Sequence, residues 1–265
     1  MGSDCVGALA FLTMGLHAYG QTYTSDRTVR ILFVGNSLTY TNAMPNMVAE
    51  IFRDSKPRLE IQSDLLVEGG ATIRSHLQAG AVQRELRAKH HDVVVFQELG
   101  GIPECPSGFR GCADSPKAIA EMASLIRDSV ARPIWFSTWW SSRELQTRLS
   151  GGARSLADKS HLEVADVGAV LTRYADLVPG APLLRSDGHP QPLGSWVIAE
   201  VIATAIQPHV WSGRPSAQAC GPDWTSIRLH IDRLASLQTV PPEERCFGIS
   251  GEQMLAIQKL ERVGG

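Results

Sequence analysis

The sequence predicts an α/β protein: a three-layer α/β/α arrangement around a central, mostly parallel five-stranded sheet, flavodoxin-like in outline. Three observations lead there. Five short runs rich in β-branched and aromatic residues alternate with helical patterns. Three of those runs are nearly continuous apolar, as strands covered on both faces must be. Repetition of strand, helix and strand closes into a parallel sheet, because a parallel connection needs a crossover.

The first strand is predicted over 30–34 (Arg-Ile-Leu-Phe-Val), followed by a helix over 43–53 with Asn42 as its start signal. The second strand covers 59–67, and a helix over 72–89 follows it. Residues 92–97 (Asp-Val-Val-Val-Phe-Gln) form the third strand, and Ser115-Pro116 opens a helix over 115–131, where proline suits the first turn. The fourth strand is 133–138, with a helix over 142–160, and the fifth is 162–165. After Val167-Gly168 come a helix to about Asp176, a turn-rich stretch over 178–192 and a helix over 193–206. Residues 209–265 are more irregular: Ile227, Ile231 and Leu234 fall on one helical face, and 250–263 reads as a final helix. A piece so short buries little core of its own. The expected organisation is therefore a removable leader over 1–20, a domain over 21–208 and a C-terminal extension over 209–265 packed on the same domain.

Composition narrows the function classes. The 25 basic and 27 acidic residues leave a net charge of −2 with no block of five or more like charges, which argues against a nucleic-acid partner. With 43% hydrophobic residues the chain has enough apolar surface for a core. The apolar stretch 6–20 is too short and too rich in small residues for a membrane span of about 20 residues. It resembles a signal-peptide core, although residues 1–5 lack Lys and Arg and contain Asp4. No stable membrane insertion is expected, and export, secreted or periplasmic, is. Of the 5 cysteines, Cys5 would leave with the leader, and the others form two local pairs, Cys105 with Cys112 and Cys220 with Cys246. A cross-link over the 105–112 loop would stabilise by about 2–3 kcal/mol. The spacings match no zinc ligand set. Buried free thiols are the alternative.

In open α/β sheets, function sits at the carboxyl ends of the strands. Ser37, in Gly35-Asn36-Ser37-Leu38-Thr39, stands just beyond the first strand, where a sharp turn exposes a hydroxyl among backbone amides. Gly69-Gly70 follow the second strand and let amides approach a ligand. Gln97 and Glu98 end the third. Near the C-terminus, His189 lies in Ser186-Asp187-Gly188-His189-Pro190-Gln191-Pro192, a loop stiffened by two prolines, with Asp187 near enough to orient a general base. His90 and His91 more simply end a helix, and His161 connects elements. Trp139 and Trp140, after the fourth strand, are candidates to line a substrate cleft, with core or rim packing as the competing assignment.

These blocks, in this order, resemble the SGNH, or GDSL-type, hydrolase superfamily across about residues 30–208. Gly35-Asn36-Ser37-Leu38 matches its Gly-Asp-Ser-Leu block with Asn for Asp. Gly70 matches the glycine whose amide enters the oxyanion hole, and His189, Pro190 and Gly194 match the last block. The resemblance implies an esterase or lipase that transfers an acyl group to water. Ser37 is then the nucleophile, His189 the base, Asp187 the acid, and Ser37, Gly70 and Gln97 the oxyanion donors. It implies no metal and no organic cofactor, and a small-molecule or glycan ester as substrate. Two departures stand out. No asparagine follows the third strand, so Gln97 is its nearest chemical substitute. Asp187 lies two residues before His189 where the family has three, which leaves Glu98, or no carboxylate, as alternatives for the acid. The competing function is a non-catalytic flavodoxin-like ligand- or glycan-binding protein, which needs no Ser–His contact.

Overall fold

The structure is a computed structural model that describes residues 28–54, 59–102, 112–140, 142–208, 217–220, 228–229 and 246–262. The leader, Cys5, Cys105, Ile227, Ile231 and Leu234 lie outside the described residues.

Five parallel strands form the centre: β1 (Thr28–Gly35), β2 (Glu60–Val67), β3 (Val93–Gln97), β4 (Arg132–Ser137) and β5 (Glu163–Asp166), ordered β5-β4-β3-β1-β2. Each predicted apolar run is one of these strands. Strand alternation divides their side chains between two cores. Val29, Ile31, Phe33, Val93, Val95, Ile134 and Phe136 face one side, while Leu32, Val34, Val94, Phe96 and Trp135 face the other. Both faces are covered, which explains why the runs lack a polar alternation.

The first face packs α2 (Met44–Asp54), α7 (Val167–Leu177) and α8 (Pro192–Ile206); the second packs α3 (Ile73–Ala79), α4 (Ala81–Ala88), α5 (Ser115–Asp128) and α6 (Arg143–Ser160). Where one helix was expected over 72–89, there are two. Gly80 adopts φ +66 and closes α3 with a left-handed cap before α4 begins. The expected helix start at Asn42 is also revised. Asn36 caps a short α1 (Ser37–Tyr40), and Asn42 lies in a 3₁₀ turn, Thr41–Ala43, at φ +55.

Among the described residues beyond 208 are three short strands, β6 (Ala217–Cys220), β7 (Arg228–Leu229) and β8 (Cys246–Ile249), and a helix, α9 (Gly251–Arg262). β7 joins the main sheet in parallel beside β2, a sixth strand that the sequence does not announce. β6 and β8 pair antiparallel with Cys220 opposite Cys246, and Cys112 is disulfide-bonded. No described helix is long and apolar enough to cross a membrane.

Candidate active site

The strand order reverses direction around β1, since the chain leaves it first toward β2 and then returns to β3 on its other side. In open α/β sheets such a switch point, at the carboxyl ends of the strands, is where ligands bind. Ser37 stands there. The turn that presents it is tightly fastened: Asn36 N–H donates to Gln97 Oε1 at 3.1 Å, Asn36 Nδ2 donates to Ala71 O at 2.9 Å, and Asn36 Oδ1 accepts from Leu38 N–H at 3.1 Å. Gly35 is required by space, because a Cβ there would lie 2.4 Å from Thr39 Oγ1 and 2.7 Å from Gln97 Oε1. Beneath the turn, His76 Nε2 lies 2.8 Å from Gly35 O. Burial pushes the His76 imidazole below its usual pKa, so the ring is held neutral and donates one N–H to that carbonyl.

His189 reaches the serine from the opposite side, with Nε2 2.9 Å from Ser37 Oγ. Its loop folds back on itself: Arg185 N–H donates to His189 O at 2.8 Å, Gln191 N–H to Leu183 O at 2.8 Å, and His189 N–H to Asp187 Oδ1 at 3.0 Å. Gly194 permits this packing, since a Cβ there would sit 2.1 Å from Leu183 O. Asp187 Oδ2 lies 3.3 Å from His189 Nδ1, close enough for charge to act, but among the described residues no acceptor is aligned with Nδ1 as a hydrogen bond. The Asp187 side chain is 60% exposed. Its carboxyl is held below its ordinary pKa, first by the bond from the His189 backbone N–H and further by the adjacent His189 ring and the Arg185 guanidinium.

The geometry bears on three sequence expectations. Gln97 is buried with both ends of its amide occupied: Oε1 accepts from Asn36 N–H and from Thr39 Oγ1 at 2.9 Å, and Nε2 donates to Glu98 O. Its Oε1 fastens the serine turn, and Nε2 commits one of its two N–H groups to Glu98 O. Glu98 is not the partner of His189; its carboxylate accepts from Ile73 N–H at 3.2 Å, Leu99 N–H at 2.7 Å and the Ser115 hydroxyl. Trp139 is buried rather than lining a cleft, and its Nε1–H donates to Gly188 O at 3.0 Å. Trp140 remains at the rim, half-buried, with its ring against the Gly101 backbone, while neighbouring Gly100 lies near Leu38. Gly70 is exposed in the turn after β2 at φ +71.

Sequence reasoning missed Asn42 as a site residue, along with His76. Asn42 Nδ2 lies 2.9 Å from both Pro190 O and Ser195 Oγ. Among the described residues, Asp64, Glu85 and His91 have the donor set of a metal site, their ligand atoms lying within 4.8 Å of one another. Lys89 Nζ already bonds Asp64, and His91 Nε2 lies 3.0 Å from the same carboxylate. The Lys89 ammonium therefore already pairs with the Asp64 carboxylate of that cluster.

No protein-family model matches the sequence, and no curated protein matches it. Solved structures do match. A Slackia heliotrinireducens protein assigned to the SGNH hydrolases aligns at TM-score 0.54 and 26% identity over 68% of this chain and 100% of its own. A catalytic mutant of Axe2, an acetylxylan esterase from Geobacillus stearothermophilus, aligns at TM-score 0.59 and 15% identity over 73% and 100%. TesA aligns at TM-score 0.53 and 18% identity over 68% and 98%. The protein has the SGNH-hydrolase fold.

Proposed function

We propose that the protein is a serine hydrolase of carboxylic esters. The observation that carries this is the 2.9 Å contact between Ser37 Oγ and His189 Nε2, made by residues 152 positions apart at the switch point of the sheet. The competing binding-module reading needs no such contact, and the likeness to esterases supports the enzyme.

In the proposed mechanism Ser37 Oγ attacks the ester carbonyl carbon while its proton passes to His189 Nε2. The tetrahedral oxyanion is stabilised by the backbone N–H groups of Ser37 and Gly70. Collapse expels the alcohol, which takes the proton from His189, and water then repeats the sequence on the acyl-enzyme. The Asp187 charge beside Nδ1 favours the imidazolium that forms in each half-reaction. The substrate is a small-molecule or glycan ester, a class that spans acetylated glycans, lipid esters and small esters. Cys112 in a disulfide and Cys220 opposite Cys246 support export to a secreted or periplasmic location, where both cysteine pairs would be oxidised.

The test is a screen of the purified protein on esters of graded acyl length, with a serine-directed phosphonate as covalent probe. Hydrolysis and labelling that both disappear in Ser37→Ala, with thermal stability retained, are the expected result. Equal turnover by Ser37→Ala and the parent would overturn the reading.

A further inference from the structure

His189 lies in a loop whose backbone is gripped on both sides of that residue by side chains from elsewhere in the fold. On one side, Trp139 Nε1–H donates to the carbonyl of Gly188 at 3.0 Å. On the other, Asn42 Nδ2 donates to the carbonyl of Pro190 at 2.9 Å and to Ser195 Oγ at 2.9 Å. The carbonyls just before and just after His189 are therefore both fixed. Trp139 is firmly placed, 7% exposed with its ring centroid 6.2 Å from that of Phe136. Asn42 stands at φ +55, a conformation that Asn adopts more readily than other residues with a Cβ. It follows Ser37 by five positions, in the 3₁₀ turn directly after α1, so one amide ties the segment bearing Ser37 to the segment bearing His189. Ser195, the first-turn residue of α8 that receives Asn42, also donates to Thr41 O at 3.4 Å and closes this link.

The acid does not fix the ring in the same way. Asp187 is largely exposed, and its carboxylate is off the line of the Nδ1–H bond. We infer that Asn42 and Trp139 are positioning residues that hold His189 in line with Ser37 Oγ, taking over part of the orienting role of a buried triad acid. The inference rests on the reading of Ser37 and His189 as nucleophile and base. The fastening acts on the loop backbone: Gly188 and Pro190 cannot drift, so the imidazole between them keeps its reach to Ser37. Displacement of reacting groups by about 1 Å can cost about 10² in rate, so this much fixing has a measurable effect.

Two substitutions remove the donors with little other change. Gly accepts the backbone angle of Asn42, so Asn42→Gly deletes only the amide. Trp139→Phe keeps most of the ring and deletes the N–H. Each is expected to lower kcat about tenfold with KM nearly unchanged, and to slow phosphonate labelling of Ser37 by the same factor. A second measurement needs no turnover: ¹⁵N NMR of the His189 imidazole in the resting protein, assigned against His189→Ala. The parent is expected to show one tautomer, with Nδ1 protonated and Nε2 accepting from Ser37, and both variants to show averaged ring signals. If the parent has no Ser37-dependent hydrolysis, the esterase reading fails, and the ring signals still decide the positioning role. Ring signals and kcat unchanged in both variants would overturn it. If Trp139→Phe does not fold, Asn42→Gly decides alone, because its amide lies outside the apolar core.

Discussion

Two carboxylates compete on paper for the acid role, and their surroundings separate them. Glu98 is 1% exposed, and burial pushes its carboxyl above the usual range even though bonds from Ser115, Leu99 and Ile73 and the Arg74 charge draw it back. A raised folded-state pKa means that the group favours folding most below its unfolded value of about 4.3, and that this contribution is lost as pH rises through the folded value. Glu98→Gln keeps an acceptor for Ile73 and Leu99 and removes the charge. Its melting temperature at pH 7 should equal or exceed the parent's, with kcat within about threefold; a loss of tenfold or more would return Glu98 to the acid role. Asp187→Asn should instead lower kcat about tenfold, well short of the roughly 10⁴ seen when a buried triad Asp is changed, because this carboxylate is exposed and off-line. A silent Asp187→Asn would mean that Ser37 and His189 work as a dyad. Ser37 and His189 were legible in the sequence because each stands in a short block whose turn chemistry is local. The part Gln97 plays in fastening the serine turn was not legible, because its Oε1 partners Asn36 and Thr39 meet it only across the sheet. Asn42 carried no signal of its role, since Pro190 lies 148 residues away.

At the scale of the element, the site depends on how the end of β1 is supported. His76 of α3 bonds Gly35 O, and the N–H of Glu68 bonds the same carbonyl at 3.1 Å. Burial lowers the His76 pKa in the fold, outweighing the Gly35 bond and the Glu68 charge. Its contribution to stability is therefore complete above the unfolded value of about 6.5 and is lost as pH falls through the lower folded value. The melting temperature of the parent should drop on going from pH 7 to pH 5. His76→Gln, which keeps a neutral amide donor without a titration, should show a shallower drop over that interval; an unchanged slope would place the acid sensitivity elsewhere. The strands themselves were easy to read, because continuous apolar runs point to burial on both faces. The division of α3 from α4 at Gly80 was missed, though a glycine inside a helical pattern is the usual mark of such a cap.

For the molecule as a whole, the question is how residues beyond 208 belong to the domain. Periodicity predicted a last helix over 250–263, and α9 (Gly251–Arg262) stands there. β6 and β7 were invisible, since strands of 4 and 2 residues leave no period to detect. α9 places Met254, Ile257 and Leu260 in the same apolar cluster as α2, α7 and α8. Tyr174 of α7 adds a hydrogen bond from its hydroxyl to Gln253 O at 3.2 Å, and burial, with the Glu252 charge, pushes that phenol up to about 12. We propose that α9 is part of the hydrolase core rather than a separate unit. Ile257 tests this well, being 2% exposed, within the cluster and remote in function from Ser37. Ile257→Ala should cost about 2–4 kcal/mol, the usual range for emptying a buried aliphatic site. If α9 folds with the sheet, the whole protein should melt earlier in one transition, and activity below that transition should be unchanged, because the sheet positions Ser37 and His189 until it unfolds. Two transitions, with the loss confined to one that leaves hydrolysis intact, would instead make residues beyond 208 a dispensable appendage.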